Sequence, residues 1–281
     1  AKCITVCAEV NDKVVKTRHS QGWIDEVFTD IAELIKRVEV AKSNKEVVSI
    51  AFQGNIITIW EEFYKHNIFI DIGSDQTSLH NPWSGGYYPY GLDFNSANKM
   101  ISKDPELFKS KVKQSLLLHA ELINKHCQRG TYFFDYGNAF LLEASKAGAD
   151  VFAEDGINFK FPSYVQDIMG PMCFDYGFGP FRWVCASNKQ EDLDKTDEIA
   201  CQVLEKLMVN SPEETKVQMQ DNIDWIKSAK SNSLVVGSKA RILYADSIGR
   251  VEIAKAFNSA ISENKIGTII LGRDHHDVSG T

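Results

Sequence analysis

Residues 47–73 read VVSIAFQGNIITIWEEFYKHNIFIDIG, and the alternation of textures within them decides the fold. VVSIAF (47–52) is a short, unbroken apolar run rich in β-branched residues, the pattern of a strand covered on both faces. NIITIWEEFYKH (55–66) changes to helical spacing, and IFIDIG (68–73) returns to a strand. Strand, helix and strand in this order form a βαβ unit, so the sheet is expected to be parallel.

The rhythm extends both ways. Upstream lie CITVCAEV (3–10), read as a strand, and DIAELIKRVEVAKSNK (30–45), with Ile31, Leu34, Ile35 and Val38 at helical spacing. Downstream come the helix PELFKSKVKQSLLLHAELINKH (105–126), the strand TYFFDYG (131–137) and the helix NAFLLEASKAG (138–148), which ends on the C-cap candidate Gly148. Near residue 160 the texture shifts to FPSYVQDIMGPMCFDYGFGPFRWV (161–184), rich in Gly, Pro and aromatics, which reads as the crossing into a second domain. A helical region (190–230), the strand ARILYA (240–245), the helix RVEIAKAFNSAISEN (250–264) and the strand IGTIILG (266–272) follow. The fold class is α/β, with a parallel-sheet domain over 1–168 joined to part of a second α/β domain over 169–281.

Composition narrows the function. With 281 residues, 43% hydrophobic and 25% charged, the chain can bury one large or two modest cores. A net charge of -7, with no dense Lys/Arg block, argues against nucleic-acid binding. No apolar run is long enough to span a bilayer, and AKCITVCAEV lacks the features of a secretory signal. Six scattered cysteines without a C-x-x-C pair read as reduced, mostly buried thiols of a cytoplasmic protein. The absence of an initiator Met, with a strand at the very start, reads as a fragment.

The unusual residues gather at the carboxyl ends of the expected strands: Glu9 after the first, Gly54 and Asn55 after the second, Asp75 and Gln76 after the third, Tyr136 after the fourth. Open α/β sheets bind ligands in the crevice there, where helix N-termini present N–H groups to anions. Glu9 can accept hydrogen bonds from a ribose, or be a solvated acid. QGN (53–55) lets a phosphate approach the backbone, or is a plain N-cap. The loop SDQTSLHNPWSGGYYPYG (74–91) is too long for a plain connection and too aromatic for a disordered one. Its Thr77, Ser78 and His80 offer donors, and Tyr87 and Tyr88 can stack on a flat ring or bond to one. Arg182 suits a carboxylate or an ordinary ion pair. RDHHD (273–277) offers a proton-transfer cluster in Asp274 and His275, or metal ligands, although adjacent residues point apart.

On SDQTSLHNPWSGGYYP, FFDYGNAFLLEA, FPSYVQDIMG, GFGPFRWVCAS, KARILYAD, GRVEIAKAFN and GRDHHDVSGT, the chain resembles the urocanase family over essentially its whole length, in a form closer to the eukaryotic branch. The resemblance implies a Rossmann-like NAD-binding domain. It also implies hydration of urocanate to 4-imidazolone-5-propionate in histidine degradation, with tightly bound NAD+ as an electrophile rather than a hydride carrier. Carried over by position, the cofactor contacts are Glu9, Asn55, Ile56, Gln76, Thr77, Ser78, Leu79, His80, Tyr87, Tyr88 and Tyr136. Arg182 is the candidate for the substrate carboxylate, and Asp274 and His275 for proton handling. No metal is implied, and the whole enzyme is expected to be a homodimer. Bacterial members carry a cysteine where this chain has Leu243, so no thiol is required there. The family's glycine-rich phosphate turn and its terminal segments are missing, so these residues alone are expected to be inactive. A conventional NAD-dependent dehydrogenase, a metal hydrolase built on RDHHD and a non-catalytic binding module are the competing readings.

Overall fold

A computed structural model of the chain describes residues 3–75, 82–136, 139–229 and 239–273, and the side chain of Arg273 is not described. The chain divides into two units, residues 1–166 and 167–281.

Unit 1 runs β1 (Ile4–Glu9), α1 (Asp12–Ser20), β2 (Glu26–Phe28), α2 (Ile31–Asn44), β3 (Val48–Gln53), α3 (Ile56–Lys65), β4 (Ile72–Asp75), a single 3₁₀ turn (Pro82–Ser84), α4 (Phe94–Lys103), α5 (Pro105–Cys127), β5 (Tyr132–Asp135) and α6 (Ala139–Ala147). Every ladder is parallel, as the βαβ rhythm predicts. The strands form two groups, β1-β3-β2 and β4-β5, so β1 and β4 each pair on one side only among the described residues. β3 is central, with β1 beside it from Ile4↔Val48 to Glu9↔Gln53 and β2 from Glu26↔Ile50 to Phe28↔Phe52. This explains its apolar run: Ile50 and Phe52 pack against Leu34, Val38, Ile59 and Phe63 of α2 and α3, while Ala51 faces Val15 of α1.

Three sequence expectations need correction. β1 is not covered on both faces, because Thr5 and Cys7 are exposed along it. Of the six thiols, only Cys173, Cys185 and Cys201 are buried. β4 begins at Ile72, four residues later than its apolar run, because Ile68 is spent packing on the α2–α3 core. The second core lies under α5, whose Phe108, Val112, Leu116, Ala120 and Ile123 recur every three or four residues and are essentially inaccessible. Asp104 caps this helix through Leu107 N (3.0 Å) with Pro105 in its first turn, and Gly148, at φ +94°, ends α6.

Unit 2 contains a π-type turn (Tyr164–Ile168, spanning the boundary), α7 (Met169–Met172), a 3₁₀ turn (Phe174–Tyr176), β6 (Gly179–Cys185), α8 (Gln190–Met208), α9 (Glu213–Ser228), β7 (Ala240–Ala245), α10 (Ser247–Ser262) and β8 (Ile269–Arg273). β6 is central and antiparallel to both neighbours, so this sheet departs from the parallel arrangement of unit 1. Trp183 anchors its covered face, fully buried against Phe257 and donating through Nε1 to Thr196 Oγ1 at 3.0 Å. Arg241 grips Asp197, with Nε 2.9 Å from Oδ1 and Nη2 on Oδ2.

Candidate functional site

A cleft of about 830 Å³ opens in unit 1 along β1 and at the carboxyl ends of β3 and β4. Thr5 to Val10 border one side, Ile72, Ser74, Asp75 and Phe134 the other, with Gly54 to Ile56 and Gly85 to Tyr88 completing the lining.

The β3–α3 turn is shaped by its own sequence. Gly54 N donates to Glu9 O at 3.1 Å, holding the ends of β1 and β3 together. A Cβ at Gly54 would lie 2.3 Å from the Phe52 ring, so only glycine fits without displacement. Asn55 Oδ1 caps α3 by accepting from Ile57 N at 3.0 Å, while Nδ2 donates to Tyr88 O at 2.8 Å. One residue thereby orients the α3 N-terminus and ties it to the opposite wall. Glu9 Oε1 accepts from Asn11 N at 2.7 Å, leaving the other carboxylate oxygen for a ligand.

The aromatic residues of the 82–91 segment are mostly turned into the protein. Trp83 Nε1 donates to Glu143 Oε2 (3.0 Å), and Tyr88 Oη donates to Asn98 Oδ1 (3.1 Å) while its ring stacks on Phe94. Tyr90 Oη donates to Glu61 Oε2 at 2.7 Å, which pushes the phenol up to about 12 and holds the carboxylate low. Tyr87 lies in the α5 core, its hydroxyl 3.1 Å from His119 Nδ1, and burial together with the charge of Asp75 raises its pKa. The Tyr87 and Tyr88 rings are therefore anchors for the cleft wall, not free stacking platforms.

Sequence reading missed His119 and Asp135. His119 is fully buried on α5 and pushed down to about 3 by desolvation, so it is neutral at physiological pH. Asp135 pairs in register with Asp75 across β4–β5; both are buried, and Asp135 Oδ2 accepts from Leu141 N at 3.0 Å. An acid ending each strand was the available signal for this pair, but nothing local marks His119.

The cleft thus gathers Glu9, Asn55, Ile56, Tyr87 and Tyr88. Tyr136 is exposed just beyond β5, stacked on Tyr164 at 5.3 Å, and is not part of the lining. Arg182 is exposed on β6 of unit 2, between Ile242 and Gly272. Gln76, Thr77, Ser78, Leu79, His80, Asp274 and His275 lie outside the described residues. Among the described residues no His, Cys, Asp and Glu cluster is placed to hold a metal, and no helix is long and apolar enough to cross a membrane.

The cleft's donor set fits an adenine dinucleotide. It combines an acid at a strand end, a glycine turn at a helix N-terminus, and Ser74 Oγ, a buried hydroxyl on the lining with no partner among the described residues.

Comparison with known proteins gives two family matches: "Urocanase Rossmann-like domain" over residues 1–168 and "Urocanase C-terminal domain" over residues 171–281. The "Probable urocanate hydratase" of Caenorhabditis elegans is 47% identical over 287 residues, an alignment covering 100% of this chain and 43% of that protein. The Dictyostelium discoideum protein of the same description is 49% identical over 284 residues (99% and 42%), and the "Urocanate hydratase" of Mus musculus 48% over 289 (99% and 42%). The chain spans less than half the length of these relatives.

Proposed function

The chain belongs to the urocanase family, and from that premise we propose that the whole protein is a urocanate hydratase that holds NAD+ in the unit 1 cleft and adds water to urocanate to give 4-imidazolone-5-propionate. The observation that carries the cofactor half of this reading is the convergence of Glu9, the Gly54–Asn55 turn and Ser74 on one cleft at the ends of parallel strands. Bound NAD+ would supply an electrophilic ring that draws electrons from the substrate imidazole.

The chain's own groups bind and orient. The remaining Glu9 oxygen accepts from ribose hydroxyls, and the α3 N-terminus presents N–H groups to phosphate. Asn55 keeps that helix end fixed against the Tyr88 backbone. Arg182 pairs with the substrate carboxylate, and Asp274 and His275 move protons at the imidazole. In the same reading the protein is a cytoplasmic homodimer.

β1 and β4, each paired on one side only among the described residues, both border the cleft. Because the chain spans less than half the length of its relatives, the 281 residues by themselves are expected to hold NAD+ weakly and to turn over no urocanate.

The test is mass spectrometry of the purified full-length protein for NAD+, together with loss of urocanate's ultraviolet absorbance. Stoichiometric NAD+ and turnover are expected. Formation of NADH with substrate would mean a dehydrogenase instead, and activity that follows bound zinc or manganese a metal hydrolase. Turnover by the 281 residues alone would overturn the expectation for this part.

A further inference from the structure

Two cleft-lining residues, Asp75 at the end of β4 and Tyr87, lie beside one side chain that is outside the lining, and it bonds to the second of them. His119 Nδ1 is 3.1 Å from the Tyr87 hydroxyl and 3.8 Å from Asp75 Oδ2. Asp75, Tyr87 and His119 are 5%, 2% and 0% exposed.

The cost of this arrangement is visible on the other side of the imidazole. His119 Nε2 is buried with no partner among the described residues. The ring is packed against Phe140 at 4.7 Å and Trp60 at 6.5 Å. A phenylalanine or leucine would fill the same space on α5 without an unmet ring nitrogen, and an unmet buried polar group costs about 1–3 kcal/mol. The histidine is therefore explained by what Nδ1 does. It links α5 to the 82–91 segment, whose other anchors are Glu143, Asn98, Glu61, Ser115 and Asn55. None of those five holds the Tyr87 hydroxyl, so His119 is the described side chain that fixes this residue of the wall.

We propose that His119 is a positioning residue that locks the Tyr87 wall of the cleft to α5, and so presets the shape of the cofactor site without touching the cofactor. The proposal rests on the reading of the cleft as the NAD+ site, whereas the Tyr87–His119 bond does not. Two measurements separate the two claims.

The first is amide hydrogen exchange over residues 82–90 of the full-length protein after removal of NAD+, comparing wild type with His119→Phe, Tyr87→Phe, the double variant, and His119→Asn, which returns a polar atom near the Nδ1 position. Each single variant is expected to exchange about 3- to 10-fold faster, the worth of one hydrogen bond. The double variant should match the singles because both remove one contact, and His119→Asn should recover part of the protection. Unchanged exchange in Tyr87→Phe, or additive effects in the double variant, would overturn the proposal and leave His119 as core filling. If His119→Phe fails to fold, Tyr87→Phe with the cycle through His119→Asn decides the matter.

The second is NAD+ affinity and turnover of the full-length His119→Phe variant. Binding should weaken about 3- to 10-fold, with kcat at saturating NAD+ within about twofold of wild type. An equal loss in kcat with binding unchanged would overturn the positioning role. If the exchange results hold but wild-type protein binds no NAD+, the lock stands and the cofactor reading fails.

Discussion

Replacing Gly54 by alanine isolates what the β3–α3 turn requires. The added Cβ would stand 2.3 Å from Phe52 Cε1, 2.8 Å from Cζ and 3.0 Å from Cδ1. Carbon atoms in contact prefer about 3.5–4.0 Å, so turn and ring must separate by roughly 1.2 Å or more. The backbone of Gly54 is not in the left-handed region, so the cost is steric rather than conformational. Phe52 has little room to yield, since it is 5% exposed and packed in the core formed with α2 and α3. Overpacking of this kind costs about 1–3 kcal/mol. The same shift moves the α3 N-terminus and the Gly54–Glu9 bond, so NAD+ binding should fall about 3- to 10-fold, the worth of one hydrogen bond. Urea unfolding of the full-length variant gives the first number and NAD+ titration the second. Gly148→Ala is the control: its Cβ would meet nothing within 4 Å, so its expected loss of about 1–2 kcal/mol comes only from the φ of +94°. A Gly54→Ala protein with the wild-type urea midpoint and undiminished NAD+ binding would refute the steric account.

Three further outcomes follow from the same geometry. Asn55→Ala removes both a helix cap and the bond to Tyr88 O, so a loss of about 1.5–3 kcal/mol is expected, with weaker NAD+ binding; Asn55→Asp, which keeps the cap alone, should lose less stability. His119 is held at about 3 in the fold against about 6.5 unfolded, so its contribution is fully present above pH 6.5 and is lost as pH falls from 6.5 toward 3, about 2 kcal/mol of it by pH 5. Burial lowers His126 as well, in the same direction; an NMR titration showing the native His119 ring protonating near pH 6.5 would contradict this. Arg241→Ala strands the largely buried Asp197 carboxylate and should cost about 3–5 kcal/mol, and the Arg241→Leu, Asp197→Leu pair much less, measurable by chemical denaturation.

Legibility in the sequence tracked burial. β3 announced itself because four of its six residues are buried, and α5 because its stripe is unbroken over many turns. α1 went unread because only Val15 of its residues is buried, and its remaining signals were the Asn11 cap and the charges at its ends. β2, three residues long, exists through pairing with β3 and has no periodicity of its own. Nor did the apolar strands of unit 2 disclose that β6 runs antiparallel to β7 and β8, because the pattern of a strand is the same whichever way its neighbour runs.

For the site, the sequence by itself determined the chemistry available at the strand ends: an acid at Glu9, a glycine and a cap at Gly54 and Asn55, and a family identity carried by long motifs. These are local facts, fixed by residue type and by spacing along the chain. Only the tertiary structure decided what the aromatic segment does. Its tyrosines and tryptophan were open to any flat ligand until Glu61, Asn98, His119 and Glu143 were brought to them from distant helices. A buried hydroxyl or indole N–H must find a partner, and which partner it finds is set by how the helices pack, a relation that no short window of sequence contains.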